Sequence, residues 1–221
     1  TVDLAAACAV LEAFDGHMNE DSRGAVLFRE WLAQYDYRDT LHAGALFAKP
    51  FDAQQPLASP HALASAETAR KNLATAIGIL ETAGLPLDST LGSTQFARFA
   101  GRRTPVHGGN SYEGVTNLII PGQPDHPLAP DASPLVKGSS LLTQDGYTVV
   151  HGSSFILGLT FDEEGPSAEV LLTYGQSGDP GSSYFDSQTG LFRQREWRKA
   201  LFTTEAIAED TRSRRVLEEE R

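Results

Sequence analysis

The sequence predicts an α/β fold with a helical first half and an antiparallel, β-rich second half. Three observations carry this. Apolar residues recur at helical spacing in three stretches before residue 84. From Thr90 onward the period changes to short apolar runs bounded by Gly and Pro. Two of those runs, Gly146 to Phe161 and Ala168 to Tyr174, are joined by the short turn Asp162-Glu-Glu-Gly-Pro166 and read as an antiparallel pair. Both runs are apolar on both faces, which points to the interior of a layered sandwich. The boundaries that follow are a mostly helical segment at residues 1–89 and a β-rich segment with C-terminal helices at 90–221.

Val2 to Phe14 is apolar almost all round, so as a helix it needs cover on every side, and Cys8 within it reads as a small buried hydrophobe. Phe14-Asp15-Gly16 stops it, and Asn19 to Ser22 offer caps for a second helix carrying Leu27, Phe28, Trp31, Leu32 and Tyr35. Leu41 to Leu63 is loop-like, with Ser59-Pro60 as a cap followed by a first-turn proline. A third helix is expected from about Ser65 to Ala83, with Ala66, Ala69, Leu73, Ala76, Ile77 and Leu80 on one face and Gly84 and Pro86 closing it. Val115 to Ile120 reads as a strand. Prolines at 121, 124, 127 and 130 then favour an extended, polyproline-like loop. Short helices are expected around Arg193 to Lys199 and Thr204 to Glu209, followed by a mixed-charge, solvated tail.

The net charge of −11 argues against nonspecific nucleic-acid binding and against attraction to anionic membranes. No run reaches the roughly 18 apolar residues of a membrane-spanning helix. The histidines at 17, 42, 61, 107, 126 and 151 match no common zinc spacing, only one cysteine is present, and no phosphate-binding or dinucleotide fingerprint occurs, so no cofactor or metal is expected. Thr1 leads into a helical pattern, whereas an N-terminal nucleophile begins a β-strand, so Thr1 is expected to be inert.

The most distinctive stretch runs from Tyr174 to Phe192. Its Gly175, Gly178, Pro180 and Gly181 end any strand and demand an ordered turn. Gln176, Ser177, Asp179, Ser182, Ser183 and Gln188 read as short-armed groups that satisfy backbone donors and acceptors there. A nucleophile elbow requires G-x-S-x-G, and Gly175-Gln-Ser177-Gly178 brings the second glycine one place too early. His107, beside Gly108 and Gly109, reads as a turn or core residue, and its glycines as points where the backbone turns or approaches closely.

Three motifs carry a family resemblance. Gly175, Gln176, Ser177, Gly178, Asp179, Pro180, Ser182 and Gln188, continued by Leu191, Phe192 and Trp197, resemble the C-terminal signature of the penicillin acylase family of N-terminal nucleophile hydrolases. Asp15, Gly16, Asp21, Ser22, Gly24, Ala25 and Phe28 fit a second family pattern, with Phe14 in place of its Trp. Pro105 to Gly109 is the third. Tyr184 stands where relatives carry His and Ser187 where they carry Asp, so no polar network at those two positions is carried over. Residues 121–137 look like a surface insertion relative to the family.

The resemblance implies the last two-fifths or so of an acylase β subunit, within an α/β/β/α sandwich. In such enzymes the β subunit's N-terminal Ser attacks an amide. Its own α-amino group, with a model-compound pKa of about 8, serves as base, and an Asn side chain with a backbone N–H forms the oxyanion hole. All of these lie upstream, so no catalytic residue is expected here. The resemblance is nearest to acylases of homoserine lactones and cyclic lipopeptides. It implies a periplasmic or secreted setting, upstream acylase chains as partners, and an acyl amide as substrate. Two rival readings are a stand-alone β-rich binding module and a serine hydrolase using Ser177.

Overall fold

The computed structural model describes residues 3–40, 42–59, 62–99, 101–115, 117–122, 135, 140–163 and 165–216. Thr1, Pro60 and most of the 121–137 insertion lie outside them. The chain divides into two compact units, residues 1–153 and 154–221.

In the first unit, α1 spans Leu4–Ala13, and the Asp3 carboxylate caps it by accepting the Ala6 N–H at 3.0 Å. It is not buried all round. Ala7 is buried and Leu4, Val10 and Leu11 pack on the core, while Ala5, Ala6, Cys8 and Ala9 are exposed. The expectation of a buried Cys8 is therefore corrected. An alanine-rich face offers little apolar area per residue, so its burial is not compelled.

The second helix, α2 (Ala25–Leu32), starts from Gly24 and not from a side-chain cap at residues 19–22. Those residues form a separate turn, in which the Ser22 N–H donates to Asn19 O and Ser22 Oγ donates to Asp15 Oδ2 at 3.0 Å. Helix α3 (Ala66–Thr82) is capped by Ser65, whose Oγ accepts the Thr68 N–H at 3.1 Å, while the first turn expected after Ser59 falls on Pro60 and His61, outside the described residues. Leu73, Ala76, Ile77, Ile79 and Leu80 of α3 join Ala7, Val26, Leu27, Leu142 and Tyr147 in one core cluster.

Strands β1 (Gln95–Phe99), β2 (Arg102–Pro105), β3 (Ile119–Pro121) and β4 (Tyr147–Gly152) form a sheet in the order β2-β1-β4-β3. The β1–β4 pair is parallel, so this sheet is mixed and not wholly antiparallel. The long connection between them makes parallel pairing possible.

The second unit holds β5 (Phe155–Asp162), β6 (Gly165–Leu172) and β7 (Arg198–Lys199), all antiparallel in that order. The expected single run from Gly146 to Phe161 is thus two strands in two sheets. Gly152 closes against Leu118, and the Ser153 N–H donates to Leu118 O at 2.8 Å, which ends β4. Nor is the hairpin apolar on both faces. Ile156 and Leu171 share a face with Gly158, Glu169, Thr160 and Ser167, so one face turns polar toward the hairpin tip.

Helix α4 covers Ser187–Gln194, with β7 following, where a helix had been expected at Arg193 to Lys199. Helix α5 (Thr204–Asp210) falls where the sequence placed it. Among the described residues no helix is long and apolar enough to cross a membrane.

Candidate functional site

The first unit holds a buried polar network on α2 that motif reading did not single out. Arg29 Nε donates to Glu113 Oε1 at 2.6 Å and Nη2 to Glu113 Oε2 at 3.3 Å, both side chains being almost fully buried. Arg29 Nη1 donates to Gln95 Oε1 at 2.8 Å, and its guanidinium lies 4.8 Å from the Tyr147 ring centroid. Gln95 Nε2 in turn donates to the carbonyls of Val106 and Gly108 at 2.8 and 3.0 Å. Glu113 Oε2 also accepts the Asn110 N–H at 2.5 Å. The neighbouring Glu30 accepts the Tyr147 hydroxyl.

Burial alone would lower the Arg29 pKa, but the charge and hydrogen bonds of Glu113 outweigh it and push it up, so Arg29 stays cationic. Burial raises the Glu30 pKa against the opposing hydrogen bonds of Tyr147 and Ser140 and the charge of Arg29. Burial, then the charge of Glu30, raises that of Tyr147 well above the phenolic range, so Tyr147 remains the donor. A cavity of about 20 Å³, room for a single water, adjoins Glu30, Tyr112 and Tyr147.

A raised native pKa means that folded Glu30 binds its proton more tightly than unfolded Glu30. Its contribution to stability is full below the ordinary value of 4.5 and is lost as pH rises through the native pKa. Glu30→Gln, which keeps an acceptor for Tyr147, is expected to flatten this fall. The check is the urea midpoint against pH from 4 upward; equal slopes in the two proteins would refute it.

The network holds backbone in place. Each polar arm of Arg29 ends on an acceptor, and Gln95 ties α2 to the turn after β2. Gly108 fits there because a Cβ would lie 2.7 Å from Asn117 O, and φ is +111°; at Gly109 a Cβ would lie 2.5 Å from Glu113 Oε2. The close-approach reading of these glycines holds. His107 lies half-buried in this turn. Beside it, Leu11, Phe14, Met18, Phe28, Trp31 and Leu63 line an apolar groove of about 410 Å³.

In the second unit, the Tyr174 to Phe192 stretch forms the ordered turn expected of it. The N–H groups of Gln176 and Ser177 donate to Tyr184 O at 2.8 and 3.3 Å, and Asp179 Oδ1 accepts the Gly181 N–H at 2.9 Å. Gln188 Oε1 accepts the Leu172 N–H at 3.1 Å and Thr189 Oγ1 donates to Thr173 O at 3.1 Å, stitching α4 to the end of β6. Ser177 Oγ accepts the Asp179 N–H at 3.1 Å, the bond of a loop serine. Thr1 lies outside the described residues. Among the described residues no group of three or more His, Cys, Asp or Glu side chains is placed to hold a metal ion.

The missed residues left a faint signal. Arg29 and Glu30 follow Val26 and Leu27 by three positions, on the helix face that a core must cover, and Asn110-Ser-Tyr-Glu113 has cap spacing.

Residues 1–209 match the penicillin amidase family. The chain is 33% identical over 210 residues to aculeacin-A acylase of Actinoplanes utahensis, covering 95% of this chain and 23% of that protein. It is 31% identical over 214 residues to the acyl-homoserine lactone acylase PvdQ of Pseudomonas syringae pv. syringae, covering 94% of this chain and 24% of the relative. The chain therefore spans about a quarter of the length of the curated relatives it matches. With a match running through α1, the turn after β2 and the Gly175 to Gln188 turn alike, the chain belongs to the penicillin amidase family.

Proposed function

We propose that this chain is the C-terminal part of a secreted or periplasmic amidohydrolase, a piece of an α/β/β/α sandwich whose nucleophile lies on upstream polypeptide. The observation that carries this reading is the family match along 209 residues that make up only a quarter of the acylases concerned. The hydrogen bonding supports it, because Ser177 and the Arg29 network are both engaged in holding backbone. The substrate is the acyl amide of an acyl-homoserine lactone, a lipopeptide or a penicillin-type compound, and the match to aculeacin-A acylase and an acyl-homoserine lactone acylase supports a fatty acyl group. The heterodimer with upstream chain is the active species, and Thr1 takes no part.

The test is release of fatty acid from acyl-homoserine lactones and a cyclic lipopeptide, with chain length varied, by residues 1–221 alone and by the full-length precursor. Activity is expected only in the latter. Turnover by the 221-residue chain would overturn the proposal, while a precursor that prefers phenylacetyl amides would overturn the fatty-acyl assignment alone. In the precursor, Ser177→Ala is expected to leave kcat unchanged. Loss of kcat with KM retained would instead favour a serine hydrolase.

A further inference from the structure

The β5–β6 hairpin alternates in a way that demands a covering layer. Directly opposed residues of an antiparallel pair share a face. Phe155, Leu157, Leu159 and Phe161 of β5 therefore lie on the same face as their partners Leu172, Val170, Ala168 and Pro166. All eight positions are apolar. The opposite face is apolar only at its base, where Ile156 lies opposite the buried Leu171, and toward the tip it carries Glu169, Thr160, Ser167 and Asp162, the character of a solvent side. Yet the four apolar residues of β5 are 58, 49, 44 and 77% exposed, in chain order. Together they present several hundred Å² of contiguous apolar surface, the scale that marks an interaction site. β5 is also the end strand of its sheet and carries neither Lys nor Pro, the residues that usually guard an edge.

We infer that this face is where upstream polypeptide of the same acylase seats an apolar layer against the hairpin. The inference rests on the reading above. The hairpin falls within the stretch matched to relatives of which this chain is 23–24%, so about three-quarters of their length remains as occupant. A second copy is a poorer fit, because each chain carries a net charge of −11 and Asp162 and Glu163 flank the tip. The same charge disfavours an anionic membrane.

The experiment uses the assembled acylase from the full-length precursor, with a photo-crosslinking residue at Leu157 or, on the opposite face, at Thr160. Leu157 is expected to crosslink to upstream residues and Thr160 is not. In a second measurement, Leu157→Lys with Leu159→Lys should lower the urea midpoint of the assembly, or prevent its recovery, while Thr160→Lys with Ser167→Lys should not. Crosslinks from Leu157 only within residues 1–221 or to a second copy, or equal effects of the two charge pairs, would overturn the docking surface. Acyl-amide hydrolysis is scored separately. An active assembly whose Leu157 finds no upstream partner leaves the acylase reading intact, whereas an inactive one with the expected crosslink refutes that reading and keeps the surface.

Discussion

Glu113→Ala is expected to destabilise the protein by about 3–5 kcal/mol, the cost of leaving one partner of a buried ion pair without the other. The cost is high because Arg29 cannot escape. Its guanidinium is buried, its pKa is pushed up and not down, and Gln95 Oε1 is a neutral acceptor that cannot replace a carboxylate. The same substitution strips the Asn110 N–H of its acceptor. Arg29→Met should also destabilise, because it leaves the buried Glu113 carboxylate without its partner. The double variant Arg29→Met with Glu113→Ala should lose less than the sum of the two singles. Urea unfolding followed by tryptophan fluorescence, to which Trp31 on α2 contributes, measures all three. A loss below about 1 kcal/mol for Glu113→Ala would mean that the pair is solvated in solution and the network is not the brace described here.

Gly175→Ala is expected to break the turn between β6 and α4. A Cβ at this position would lie 1.8 Å from Tyr184 O and 2.4 Å from the Phe185 carbonyl carbon. These are backbone atoms, so no rotamer change relieves the overlap. Tyr184 O is moreover the acceptor for Gln176 and Ser177. Moving it loses two hydrogen bonds and disturbs the strand end that Gln188 clamps. A cost of about 3 kcal/mol follows, at the upper end of ordinary overpacking. Faster proteolysis within residues 175–187 is the local readout. Gly178→Ala, with nothing within 4 Å of its Cβ, is the control and should be tolerated. If both variants resist protease equally, the close approach at Gly175 does not exist in solution.

Sequence reading succeeded where the chain's own neighbours settle the structure. Helix α3 was legible because its apolar positions repeat at helical spacing and Gly84 and Pro86 close it, although its cap, Ser65, was not the serine the sequence offered. The Gly175 to Gln188 turn was legible for the same reason: most of its hydrogen bonds close within a few residues, as from Asp179 to Ser177 and from Gly181 to Asp179. α4 was misplaced toward Lys199 because Ser187 to Gln194 has little apolar pattern and is held by Gln188 and Thr189 reaching back 16 residues to β6. The break at Ser153 was passed over because Gly152-Ser-Ser interrupts the apolar run only briefly, and its meaning depends on Leu118 across the sheet.

By itself, then, the sequence determined the family, the α/β class, the close backbone approach at Gly108 and the three main helices to within a turn. All of these depend on short-range spacing and on residue types that admit few conformations. Tertiary structure decided the rest. Arg29 finds Glu113 84 positions away and Glu30 finds Tyr147 117 away, separations that no local pattern encodes. It also decided that α1 buries one face only, that β1 and β4 run parallel, and that the apolar face of β5 stands open. Apolar composition says that a surface is suited to burial; only the neighbours that fold against it decide whether it is buried.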